Sequence, residues 1–220
     1  MMVLPRGKSV KEGVNPNGMD WIEVLGKLHD GHFTGYLNLV VTSGSGMLLF
    51  LRGQLTAARF FCGGAEQAGE KALVNIFSAS LSRQARLDIY RLEPGLAVEL
   101  YNLIAGTFWY EGQYRELLDI PYLIDLLKRE KFGGGLRIQA GDEVALILMR
   151  NGEFLGFFHD GQPGVTTEAD LSCSVAWQPG ARIDVIRSAG VPETDQSDLL
   201  GQIDLITLWD KALLEASQIG

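Results

Sequence analysis

Three short apolar runs dominate the first half of the chain. Tyr36–Val41, Met47–Leu51 and Leu55–Phe61 are separated by Thr42-Ser43-Gly44-Ser45-Gly46 and by Arg52-Gly53-Gln54. Both connectors have turn composition, with glycine available for positive φ. Two tight turns between three apolar runs predict an antiparallel meander. Ahead of it, Trp21, Val24, Leu25 and Leu28 are spaced for one helical face, opened by Asp20 with Glu23 three residues on and closed at Gly31. Behind it, Ala65, Ala68, Gly69, Ala72, Leu73 and Ile76 predict a small-residue helix that lies close to a sheet. Arg86–Leu92 alternates as a strand, and Leu96, Leu100, Leu103, Ile104 and Phe108 predict a further helix closing near Gly112.

The pattern then returns. Phe33, Gly35, Leu37 and Leu39 match Phe132, Gly134, Leu136 and Ile138 at one offset (132 − 33 = 99), and Gly53 falls on Gly152. Trp21, Val24, Leu25 and Leu28 answer Ile120, Leu123, Ile124 and Leu127. Ala85-Arg86-Leu87-Asp88-Ile89 resembles Ala181-Arg182-Ile183-Asp184-Val185 at a shorter offset (182 − 86 = 96). Four elements in register indicate duplication of a helix–meander–helix–strand unit. In the second copy Thr166–Trp177 stands in place of the second helix with poor periodicity. Leu199, Ile203, Ile206, Trp209 and Leu213 predict a terminal helix. Thr107-Phe108-Trp109 and Thr207-Leu208-Trp209 suggest that each unit ends in a similar helix.

The fold class expected is α+β: two tandem pseudo-symmetric units, each a helix, an antiparallel meander, a second helix and a further strand. The expected division is an N-terminal arm over 1–18, a first unit over 19–112, a second over 113–192 and a C-terminal helix over 193–220. Pro5, Gly7, Gly13, Pro16 and Gly18 give the arm little apolar periodicity, so it is expected to be disordered or to dock elsewhere. Helices on one face of each sheet would leave the other face for solvent or a partner.

A net charge of −8 argues against nucleic-acid backbones and anionic membranes as main partners. The N-terminus has no apolar leader and no apolar run approaches the ~18 residues of a membrane helix, which together suggest the cytoplasm. Cys62 and Cys173 do not occupy equivalent repeat positions and lack a CxxC context, so two buried reduced thiols are expected.

No coherent catalytic set emerges, and no cofactor or metal is expected. His29 and His32 have HxxH spacing, but Gly31 ends the helix between them, and His159 has no fixed relation to either. Gly64–Lys71 lacks the Gly-Lys-Ser/Thr run of a phosphate loop, and Gly133-Gly134-Gly135 reads as a turn with close backbone approach. Asp88 and Asp184 fall outward on alternating strands. Arg86 and Arg182, two residues before them, form surface charge pairs or, more sharply, a symmetric anion-binding site. Phe108, Trp109, Tyr110, Tyr114 and Trp209 are the best anchors for a partner or for the seam between units.

The helix, the Thr-Gly-x-Leu-x-Leu entry at Thr34–Leu39, the Gly-x-Leu-x-x-Ala segment at Gly53–Ala58 and the small-residue helix after it resemble the bacterial DUF4388 or PATAN domain, over roughly residues 20–92. The second copy departs from that pattern at Gly133 and Phe157. The resemblance implies a non-catalytic interaction or adaptor module in bacterial signal transduction. The implied partner is another signalling protein, such as a response-regulator receiver domain. The alternative is a small-ligand sensor, for a nucleotide or metabolite, with its site at the seam. Whether the chain forms a homodimer is left open.

Overall fold

The computed structural model describes residues 7–141, 143–159 and 175–217. They form two compact units, Gly7–Val98 with Glu193–Gly220, and Glu99–Pro192. The first unit is built on six antiparallel strands: β1 (Lys8–Val14), β2 (Gly35–Val41), β3 (Gly44–Leu51), β4 (Gln54–Cys62), β5 (Ala65–Ala68) and β6 (Arg86–Arg91), in the order β1-β6-β2-β3-β4-β5. Helices α1 (Trp21–Asp30), α2 (Gly69–Ser80) and α5 (Leu205–Ser217) pack one core with it, in which Trp21, Leu25, Leu73, Phe77 and Leu208 meet Leu37, Leu48, Phe50 and Leu55. Helix α3 (Pro94–Ile104) carries the chain across the unit boundary. The second unit holds β7 (Thr107–Tyr114), α4 (Ile120–Arg129), β8 (Gly134–Ala140), β9 (Glu143–Arg150), β10 (Glu153–His159) and β11 (Arg182–Arg187), with sheet order β10-β9-β8-β11-β7. Its core joins Leu123, Leu127 and Phe132 to Leu136, Ile138, Met149 and Val185.

The expected α+β architecture of two related units is present, and the duplication holds at the level of single hydrogen bonds. Asp20 caps α1 by accepting from Glu23 N–H at 2.9 Å, and Asp119 caps α4 by accepting from Tyr122 N–H at 3.0 Å. Each helix leaves through a left-handed residue, His32 or Lys131, both at φ +48°. Phe33 N–H then returns to Leu28 O at 3.0 Å and Phe132 N–H to Leu127 O at 2.9 Å. Both meanders close with a two-residue loop of positive φ, Arg52-Gly53 and Asn151-Gly152, the geometry that suits the twist of a hairpin.

Several expectations need correction. The N-terminal arm is not free: Lys8–Val14 is edge strand β1, paired with β6. Its side chains stay in water, so Lys-Ser-Val-Lys-Glu-Gly-Val shows no apolar rhythm although its backbone is tied down. Ala65–Ala68 is likewise strand β5, hairpin-paired with β4, and the helix begins only at Gly69.

The helix after β6 stops at Ile104, and Thr107–Tyr114 is a strand. Its Thr-Phe-Trp-Tyr start has strand propensity, which outweighs the helical spacing of Phe108. No shared terminal helix therefore exists at Thr107-Phe108-Trp109. The first compact unit runs to Val98 and takes in the chain again from Glu193.

In α5, Leu208 and Ala212 are buried, whereas Ile206 and Leu213 face water; Leu199 and Ile203 precede the helix around the 3-10 turn Leu200–Gln202. Ser45–Leu51 is buried at every position, so neither face of β3 is left to solvent. Of the segment Thr166–Trp177, Val175–Trp177 is a 3-10 turn and the rest lies outside the described residues. Among the described residues no helix is long and apolar enough to cross a membrane.

Candidate functional site

Among the described residues β7 is an edge strand of the second sheet, with no strand partner for its outer backbone groups. Phe108, Trp109, Tyr110 and Tyr114 on it are 38–49% exposed. The rings are not loose. Trp109 stacks on the buried Phe132 at 5.7 Å between centroids with 6° between the planes. Arg187 lies over Trp109 at 4.6 Å, Arg137 over Phe108 at 5.8 Å and Arg182 over Tyr114 at 4.8 Å. The Arg182 guanidinium also donates to the Tyr114 hydroxyl at 2.9 Å. A guanidinium within ~6 Å of a ring face is attracted to the ring's negative face. Three such pairs engage Phe108, Trp109 and Tyr114 while the rings stay half in water, with Trp109 on the core side against Phe132 and Phe108 on the side of Arg137.

The carboxylate of Asp184 fixes the strand's backbone. It is 6% exposed, accepts from Gly112 N–H at 2.6 Å, and takes Nε of Arg137 at 2.7 Å. Gly112 has φ +61° and sits where the β7–β11 register shifts. That irregularity spoils the ladder as a template for strand addition. The surface therefore presents side chains rather than a clean edge.

The placement of the sequence candidates follows from this. Phe108, Trp109, Tyr110 and Tyr114 come together on β7. Trp209 does not join them: it packs edge-to-face on Phe77 at 5.7 Å in the first unit's core. Asp88 and Asp184 are buried, not outward. Arg86 approaches Asp88 Oδ1 through Nε at 3.3 Å, whereas Arg182 turns to Tyr114, so the two arginines do not share one arrangement.

Arg137 and Arg187 were missed by the sequence reading. Arg187 had a signal, because Arg91 lies over Phe33 at 5.5 Å as Arg187 lies over Phe132 at 5.6 Å. Arg137 had none, since its counterpart in the first copy is Asn38.

The remaining candidates stay dispersed. His29 sits in the last turn of α1 with Nδ1 3.1 Å from Asp30 Oδ1, and among the described residues no group of three or more potential metal ligands gathers. Cys62 is exposed with a free thiol, not buried as expected, because it ends β4 at the hairpin; Cys173 lies outside the described residues.

Fold and surface together define an α+β protein with a duplicated helix-and-meander unit and an aromatic edge. Residues 2–103 match the model of the family described as an uncharacterized protein conserved in archaea, DUF2226. This overturns the resemblance to bacterial DUF4388 or PATAN: both families cannot describe the same segment, and the turn glycines and core positions that carried the resemblance are those any such meander requires. The bacterial signalling setting drawn from it falls too. No curated protein and no solved structure matches the chain.

Proposed function

We propose that the protein is a non-catalytic interaction module that engages a protein partner through the aromatic edge at β7. The observation that supports this is the half-exposed set Phe108, Trp109, Tyr110 and Tyr114 under its arginines. Large rings and arginines carry much of the energy in protein interfaces. Rings already held in place lose little freedom on binding. The broken register of β7 favours recognition by side chains over strand addition. A cytoplasmic, reducing location is part of the proposal, supported by the exposed free thiol of Cys62.

The test is quantitative capture from native-host extract with the full chain and with the Phe108→Ser/Tyr110→Ser variant, which spares the Trp109–Phe132 stack. A stoichiometric partner retained by the parent and lost by the variant supports the reading. Equal retention by both, or no stoichiometric partner for either, overturns it.

A further inference from the structure

A second feature, in the first unit, concerns the stretch after Pro192. At its far end, Asp198 Oδ1 accepts from Leu55 N–H at 3.0 Å and from Leu200 N–H at 3.1 Å, and Leu199 N–H donates to Leu55 O at 2.9 Å. The strap thus satisfies Leu55, a residue of β4 that β5, paired with Arg59–Cys62, does not reach.

Ahead of these bonds the chain is poorly satisfied. Glu193 lies 2.7 Å from Arg52 Nε, off the axis of an aligned hydrogen bond, so the contact is an ion pair only. Gln196 is 5% exposed, yet among the described residues neither its Nε2 nor its Oε1 has a hydrogen-bond partner. A buried amide without partners loses its hydration and gains nothing in return. A neutral apolar residue of similar shape would hold the closed strap more firmly.

We infer that residues 193–199 form a releasable strap over the β4 edge, kept close to opening by the unpaired Gln196 amide. Opening frees Leu55 at both backbone groups and lifts the partly buried Leu199 from the core it packs against. It does not require α5 to leave, because Leu208, Ala212 and Trp209 anchor that helix in the apolar core. The strap is therefore a local device rather than partial unfolding of the unit.

Amide-resolved hydrogen exchange on the full chain tests this. Leu55, Leu199 and Leu200 are expected to share one opening equilibrium, and to exchange faster than Leu49 and Phe50 of β3. In Gln196→Met their protection should rise by roughly tenfold, while amides of β8 and β9 serve as an unchanged reference. Asp198→Ala should release the same three amides together and leave Leu208 protected. Protection of the three equal to that of β3, or no gain or a loss in Gln196→Met, overturns the inference.

Discussion

The backbone N–H of Gly13 donates to Oδ1 of Asp88 at 2.7 Å, across 75 residues of sequence. Gly112 donates to Asp184 in the same way at 2.6 Å. In both units a buried carboxylate on the penultimate strand in sheet order holds a left-handed glycine on the edge strand. The bond pins an edge strand whose side chains contribute little to the core. It also explains why an acid can stand among apolar neighbours on β6 and β11: each bonds an amide that the irregular ladder leaves without a strand partner.

Removing these acids should therefore destabilise each unit, and unequally. Asp88→Ala takes the acceptor from the N–H of Gly13, an exposed residue, beside a mostly exposed Arg86, an expected loss of about 1 kcal/mol. Asp184→Ala also strands Arg137, whose side chain is largely buried, and should cost about 3 kcal/mol. Urea denaturation of both variants gives the order; a larger loss for Asp88→Ala would contradict it.

The hairpin glycines make a sharper comparison. A Cβ on Gly53 would lie 2.3 Å from His29 O, and one on Gly152 2.7 Å from Lys128 O, whereas one on Gly63 would meet nothing within 4 Å. All three have positive φ, so backbone strain alone is common to them. Gly63→Ala should cost about 1 kcal/mol, and Gly53→Ala about 2–3 kcal/mol or more. Thermal melts of the two variants separate strain from collision.

Trp21 offers a test inside the core. Its ring nitrogen donates to Ser80 Oγ at 2.8 Å, while Ser80 donates to Phe77 O at 2.6 Å. Trp21→Phe removes the donor and opens a small cavity beside Phe77, so a loss of about 2–3 kcal/mol is expected. Trp21→Phe/Ser80→Ala should lose less than the sum of the single changes, since the serine's lost bond is already gone. Urea melts of this double-mutant cycle read the coupling directly.

Acid should loosen α5. Asp204 caps it, and its carboxyl is held below the ordinary carboxylate range, first by the Thr207 hydroxyl at 2.7 Å and then by the Thr207 and Ile206 amides. A folded-state value below the unfolded one contributes stability that is full above about pH 4 and is lost as pH falls through the lowered value. Trp209 fluorescence should report this loosening at low pH. Asp204→Asn keeps an acceptor without a titrating charge and should flatten that part of the profile.

The duplication, the caps at Asp20 and Asp119 and both hairpin loops were legible in the sequence, because each rests on local chemistry repeated at a fixed spacing. The edge strands β1 and β7 were not. Lys8–Val14 has the composition of a solvated arm because only its backbone is engaged, and Phe108 happens to extend a helical spacing that ends at Ile104. The burial of Asp88 and Asp184 was hidden for a related reason. Alternation along a strand predicts sides, but the amide that makes an inward acid tolerable lies on a neighbouring strand far away in sequence. Three of the four aromatics on β7 have an arginine over the ring, and all three arginines, Arg137 on β8 and Arg182 and Arg187 on β11, come from strands whose pairing with β7 and β11 only the sheet order reveals.

The interrupted makeup of the first unit bears on how the chain matures. Its core includes Leu208, Ala212 and Trp209, which the ribosome adds after every residue of the second unit. During translation the second unit can finish while the α2 surface around Phe77 still waits for its cover. Newly made chains thus pass through a stage with an apolar helix face bared, the stage at which a chaperone would find its handhold.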